Sequence, residues 1–219
     1  VNRTDRLLGL LAVAAPVIYL LLQSVRPYPG DVILKTSMCV TLALLAWRQN
    51  NRLLAIALLF SALGDALLGI DGTKLFVPAL ASFLITHLLY AVLFITVPKL
   101  LFTRLRLWRW ALLVLVPLFA IAYTTLLWPK LGELALPVAC YIAAIVAMTM
   151  LSLRVPIAIV PIGAVLFMTS DSLISLDKFL WQANWLGPAI WITYAAAQLL
   201  IAYGLLVRSV SNQSPIARN

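Results

Sequence analysis

Four ionisable side chains interrupt otherwise apolar runs of this chain: Lys35, Asp65, His87 and Asp171. At the centre of a bilayer a charged side chain costs about 2.5–3.5 kcal/mol on insertion scales, so such groups face the interior of a helix bundle and need a task. Two carboxylates close together in a low dielectric resist ionising both, so one of the aspartates should keep its proton. A protonated carboxyl can act as a general acid, and its ionised partner as a base or a stabiliser of positive charge. Helical spacing gathers more polar groups on the same faces: Ser61 with Asp65 and Tyr194 with Gln198 at i,i+4, and His87 with Tyr90 at i,i+3. Ser170 adjoins Asp171. The expectation is one pocket in which Asp65 and Asp171 do the chemistry, with Lys35, His87, Tyr90, Ser170 and Tyr194 supporting.

Plainer roles exist for several of these groups. Lys35 with either aspartate could be a buried ion pair that fixes helix register. His87 could be an interhelical hydrogen-bonder. Asp71 and Asp177 read as solvated carboxylates at the outer mouth, and Met148, Met150 and Met168 as packing. Cys39 and Cys140 lie in apolar runs without metal-ligand spacing and read as small fillers. With a single histidine in the chain, neither a metal nor another cofactor is expected.

The elements that must hold these residues are membrane helices. The chain has 219 residues, of which 64% are hydrophobic and only 11% charged, against roughly 25% charged in a soluble domain. The net charge is +9, but the basic residues sit in short clusters between apolar runs. Nucleic-acid binders instead spread theirs along a polar face, so no nucleic-acid partner is expected. A helix needs about 20 mainly apolar residues to cross the hydrocarbon core. That ruler gives a single all-α membrane domain of eight spans, roughly 7–25, 31–47, 53–70, 75–97, 108–128, 134–152, 156–174 and 188–207. Segments six and seven are joined so tightly that seven spans is the competing count. An outer-membrane barrel is excluded, since it would show alternating strands of about ten residues. No cleavable leader is expected, because the first apolar run begins at Leu7 and continues into a span.

Loop charge sets the orientation. The termini and even-numbered loops carry Arg3, Arg6, Arg48, Arg52, Lys99, Arg104, Arg106, Arg109, Arg154, Arg208 and Arg218. The odd-numbered loops carry Arg26, Lys74, Lys130 and Lys178. Eleven against four puts both termini in the cytoplasm, where the sequons at Asn2 and Asn212 mean nothing. Trp47, Trp108 and Trp110 on one side, and Trp128, Trp181, Trp185 and Trp191 on the other, read as interfacial belts. At 1.5 Å per residue, Asp65 and Asp171 lie about 20 and 25 Å from the cytoplasmic side and share the outer half of the membrane with Lys35 and Tyr194. His87 comes out somewhat deeper. Phe60 to Asp71 matches Phe167 to Asp177 at an offset of 106, with Asp65 on Asp171, Leu67 on Leu173 and Asp71 on Asp177. That suggests a parallel repeat of two four-helix halves.

Three stretches carry a resemblance: Leu63-Gly64-Asp65-Ala66-Leu67-Leu68, then Phe83 to His87 with Tyr90, then Pro161-Ile162-Gly163-Ala164-Val165-Leu166-Phe167 to Ser170-Asp171. Together they resemble the YhhN family of membrane lysoplasmalogenases over nearly all eight spans. Lys35 matches a lysine of that family's second span, although Thr36-Ser37-Met38 stand where a proline is usual. The resemblance implies a lysophospholipid substrate (lysoplasmenylethanolamine or lysoplasmenylcholine) in a lipid bilayer, hydrolysed at its vinyl ether bond to a fatty aldehyde and a glycerophospho-ethanolamine or -choline. Protonating the carbon beta to the ether oxygen gives an oxocarbenium-like cation that water traps, a demand that an acid and a carboxylate meet without a metal. The residues alone also suit a small proton-coupled transporter using the same aspartates. A scaffold is a third reading. The short loops suit a bacterial inner membrane.

Overall fold

The computed structural model describes residues 2–97, 100–101 and 105–212, with side chains as far as 207. Lys99, Arg104 and Arg218, the sequon positions Gln213 and Ser214, and the side chain of Arg208 lie outside the described residues. The regular structure among the described residues is helical: α1 (Arg3–Leu21), α2 (Asp31–Arg48), α3 (Arg52–Asp71), α4 (Phe76–Thr96), α5 (Leu107–Leu131), α6 (Ala135–Ser152), α7 (Ile159–Phe179) and α8 (Leu186–Asn212). Among the described residues six stretches are long and apolar enough to cross a membrane, which makes this a multi-pass membrane protein. One of the six, Leu107–Ser152, contains both α5 and α6. The eighteen residues of α2 carry three charges, Asp31, Lys35 and Arg48, and this helix is not among the six.

Local chemistry sets the boundaries. Gly30 takes a φ of 86°, which turns the chain sharply into α2. The Asn51 side chain accepts from the Leu54 N–H at 3.2 Å and caps α3. Asp71 accepts from the amides of Thr73 and Lys74 at 3.0 and 2.9 Å, closing the α3–α4 turn. The α1 boundary moves inward from the expected position because Gln23–Val25 wind as a short 3-10 turn. Ser152 ends α6, and Pro156 lies in the turn before α7 starts at Ile159, so segments six and seven are two helices. Thr36, Ser37 and Thr41 return their hydroxyls to carbonyls of their own helix, and α2 runs unbroken past the position where a proline was expected.

Consecutive helices pack on one another through α1–α2–α3–α4 and again through α6–α7–α8, and the circuit closes where α4 meets α6 and α8 meets α1 and α2. Helix α5 stands outside it, against α6 and lightly against α7. Arg109 pins its N-terminal end: the buried guanidinium donates to the carbonyls of Leu153 and Val155. One tryptophan departs from the expected belt. Trp191 is buried, donates to the Pro16 carbonyl at 2.9 Å and packs on Tyr19 at 4.4 Å, whereas Trp47, Trp110, Trp128, Trp181 and Trp185 are exposed. Its indole N–H has found a buried acceptor, so nothing holds it at the interface.

Helices α7 and α8 approach closely because small residues line their seam. A Cβ on Gly163 would lie 2.9 Å from the Ala197 carbonyl, and one on Gly204 2.6 Å from Val160. Gly163→Ala should force the two backbones apart at a cost of about 1–3 kcal/mol, read as a lower thermal unfolding midpoint in detergent; an unchanged midpoint would show the seam to be loose.

Candidate active site

Two carboxylate clusters occupy the bundle, and they are separate. In the first, Asp65 (α3) is 2% exposed. Its Oδ2 accepts from the Tyr194 hydroxyl of α8 at 2.7 Å, and its Oδ1 lies 3.8 Å from the Lys35 ammonium of α2. The Cys39 thiol, one turn past Lys35, sits 3.3 Å from the Tyr194 oxygen and 3.9 Å from Asp65 Oδ2. The outer approach to this cluster is polar as well: Arg26 pairs with Asp31 at 3.0 Å and lies over the Tyr19 ring. Desolvating a carboxylate without donors is prohibitive, so the phenol and the ammonium are conditions for Asp65 to exist there.

In the second cluster, Asp171 (α7) receives two groups on one oxygen. The Tyr141 hydroxyl of α6 donates to Oδ2 in a short hydrogen bond, and His87 Nε2 of α4 lies 3.0 Å from the same atom. His87 Nε2 is also 3.1 Å from the Tyr141 oxygen. Because Tyr141 has one proton and gives it to Asp171, Nε2 must carry its own proton to bond either oxygen. His87 Nδ1 is buried without a partner.

Aromatic rings divide the clusters. Phe167 is fully buried and packs edge-on against His87 at 4.7 Å, Tyr194 at 5.5 Å and Phe83 at 6.5 Å. Phe83 in turn meets Tyr194 at 5.9 Å. Its ring lies on Gly64, where a Cβ would come within 2.6 Å of it. A cavity of about 70 Å³, open on one side, lies among α4, α5, α6 and α7, with Leu68 of α3 also lining it. Asp171, Tyr141 and Phe83 line it; Asp65 does not. Its other polar walls are Tyr123, Ser172 and Ser175, and the rest is aliphatic or aromatic.

The expected single pocket therefore resolves into a carboxylate at a cavity and a carboxylate behind a wall. His87, placed deeper by its backbone depth, meets Asp171 because both side chains reach across the bundle. Tyr90 joins neither carboxylate. It donates to Gln198 at 2.6 Å, Gln198 donates to Ser61 at 2.9 Å, and Ser61 donates to Thr86 at 3.2 Å, a buried chain linking α4, α8 and α3. Ser170 donates to the Ile190 carbonyl at 3.1 Å and ties α7 to α8. Sequence reasoning missed Tyr141 and took Cys39 for filler. Cys39 was recoverable, since it stands four residues after Lys35 on the same face. For Tyr141 the signal was a phenol midway along an apolar segment, the kind of group already counted at Tyr90 and Tyr194.

The YhhN family model matches residues 30–205. The lysoplasmalogenases of Mycobacterium bovis and Mycobacterium tuberculosis are each 35% identical to the chain over 205 residues, covering 85% of it and 78% of the relative. Lysoplasmalogenase TMEM86A of Bos taurus is 34% identical over 172 residues, 74% of this chain and 66% of that protein. No solved structure matches.

The Tyr90–Gln198–Ser61 chain yields a stability test. Gln198→Leu orphans the Tyr90 hydroxyl and should cost about 1–3 kcal/mol, visible as a lower unfolding midpoint. Adding Tyr90→Phe removes the orphan, so the double variant should lose less than the two single losses combined. Strict additivity would mean the bond contributes nothing.

Proposed function

The chain belongs to the YhhN family, and from that premise we propose that it is a lysoplasmalogenase, an intramembrane hydrolase that cleaves the vinyl ether bond of a lysoplasmalogen to a fatty aldehyde and glycerophosphoethanolamine or glycerophosphocholine. One observation carries the reading: Asp171, held by His87 and Tyr141, lines an apolar cavity within a membrane bundle.

The reaction follows from that geometry. Protonated Asp171 gives its proton to the vinyl carbon beta to the ether oxygen. The π electrons form the new C–H bond, and the positive charge is left on the carbon attached to oxygen. The Tyr141 hydroxyl and the His87 N–H already point at Oδ2, so they stabilise the carboxylate as it forms without reorganising. That carboxylate then takes a proton from the water that adds to the cation, giving a hemiacetal. Collapse breaks the bond to the glyceryl oxygen, which gains a proton, and releases the aldehyde. One group serving as acid and then as base is how glycosidase carboxylates work. Asp65 adds negative charge from behind Phe83, tempered by Lys35, and so favours the cation through a low-dielectric wall.

In the same reading all eight helices cross the bilayer in two parallel halves, with both termini on the cytoplasmic side of a bacterial inner membrane. Two features support the repeat. The packing of α4 on α6 is answered by that of α8 on α2. Asp65 of the first half takes Tyr194 from the second, while Asp171 of the second takes His87 from the first. The offsets are 106 between the aspartates and 107 between their partners, as a twofold axis along the membrane normal requires.

The test uses purified protein in detergent with lysoplasmenylethanolamine and lysoplasmenylcholine, following aldehyde release. Asp171→Asn should lower the rate by about 10²–10⁴, the usual worth of general acid–base catalysis, and Asp65→Asn by less, each with a wild-type size-exclusion profile. No aldehyde from folded wild type on either substrate would overturn the reading and return the carboxylates to proton-coupled transport.

A further inference from the structure

We propose that the cavity beside Asp171 seats the hydrocarbon chain of the substrate, and that the chain passes sideways into the bilayer through a window between α5 and α6. The identity of the chain's owner rests on the lysoplasmalogenase reading; the window rests on how α5 is held.

Helix α5 is buried at its ends, and its middle is held by a single side chain, Tyr123, whose hydroxyl bonds α7. At the N-terminal end Arg109 is clamped by the carbonyls of Leu153 and Val155. At the C-terminal end Leu127 and Leu131 are buried against Val138 of α6. From 117 to 126 no residue of α5 is buried. Behind that stretch lies the Asp171 cavity, and on its other side a second apolar recess between α5 and α6, lined by Ile121, Thr124, Ala139 and Ala143 among others. The two spaces share Ala120 of α5 with Ile142 and Val146 of α6. These three side chains are thus the seam between the reacting carboxylate and the lipid, and the smallest of them, Ala120, is a single methyl group.

The walls identify the occupant as hydrocarbon. The polar groups at the cavity are already paired with one another: the Tyr123 hydroxyl donates to the Ser172 carbonyl at 2.6 Å and lies 3.0 Å from Ser175 Oγ, and Tyr141 is engaged with Asp171. Thr125 in the recess returns its hydroxyl to Ala122. Away from Asp171 the cavity offers mostly apolar wall and hydroxyls already engaged, which suits an alkyl chain better than a polar ligand. A lysolipid brings one chain, and its vinyl ether lies where that chain joins the glycerol. A chain leaving through the seam therefore sets the scissile bond at Asp171 and its tail in the membrane.

The test separates seat from chemistry by using a saturated 1-O-alkyl lysophospholipid, which has no vinyl ether, with a diazirine partway along its chain. Photolysed with wild-type protein in nanodiscs, it should label α5 and α6 around Ala120, Ile142 and Val146, competed by unlabelled lysolipid. Ala120→Phe should reduce that labelling about tenfold, as should Ala143→Phe, which narrows the recess from the α6 side and serves if the first variant folds poorly. Both variants should also lose long-chain vinyl ether turnover about tenfold more than short-chain turnover. Labels scattered over the outer faces of α1 and α8, or labelling and chain-length preference indifferent to both substitutions, would overturn the proposal. Seam labelling without aldehyde from wild type would leave the seat standing and sink the hydrolase; aldehyde with scattered labels would do the reverse.

Discussion

A carboxylate inside a hydrocarbon-embedded bundle must be given donors by its neighbours, and that requirement organises this molecule. Asp171 on α7 draws its donors from α4 and α6, and Asp65 on α3 draws its partners from α8 and α2. Six helices are therefore tied by two side chains: His87 and Tyr194 come from the opposite half of the chain, and Tyr141 and Lys35 from the adjacent helix. A shift of α6 or α4 would strand Asp171, and leaving a buried acceptor unmade costs more than a hydrogen bond gains.

The aromatic partition decides what each carboxylate can do. Phe83 and Phe167 keep Asp65 and its lysine from the cavity while leaving Asp171 on its wall. Charge still acts through such a wall, because low dielectric extends electrostatic reach, but atoms do not pass. In the proposed mechanism this divides chemistry and field between two residues that the chain spaces 106 apart.

Much of this was legible in the sequence because the penalty for intramembrane charge leaves few reasons for Lys35, Asp65, His87 and Asp171 to be present. All four do belong to the two clusters. Helix positions were legible for the same reason, set by apolar length and by turn residues such as Gly30 and Asn51. What helical periodicity cannot give is which faces meet across the bundle. Tyr90 and Tyr194 looked equivalent, yet one binds Gln198 and the other Asp65. Trp191 looked interfacial until the Pro16 carbonyl of α1 came within reach of its N–H. The partition was illegible as well, because Phe83 and Phe167 are indistinguishable in sequence from packing residues.

Gly64 precedes Asp65, and its missing Cβ is the space into which the Phe83 ring settles. The partition thus has its footing on the far side from the cavity, at a residue that touches no substrate. Growth at position 64 is tied to the size of the residue at 83. A descendant with a bulkier residue at 64 would need a smaller one at 83, and that exchange would thin the wall between Asp65 and the cavity at Asp171. Ancestry, more than present-day packing, would then record which arrangement came first.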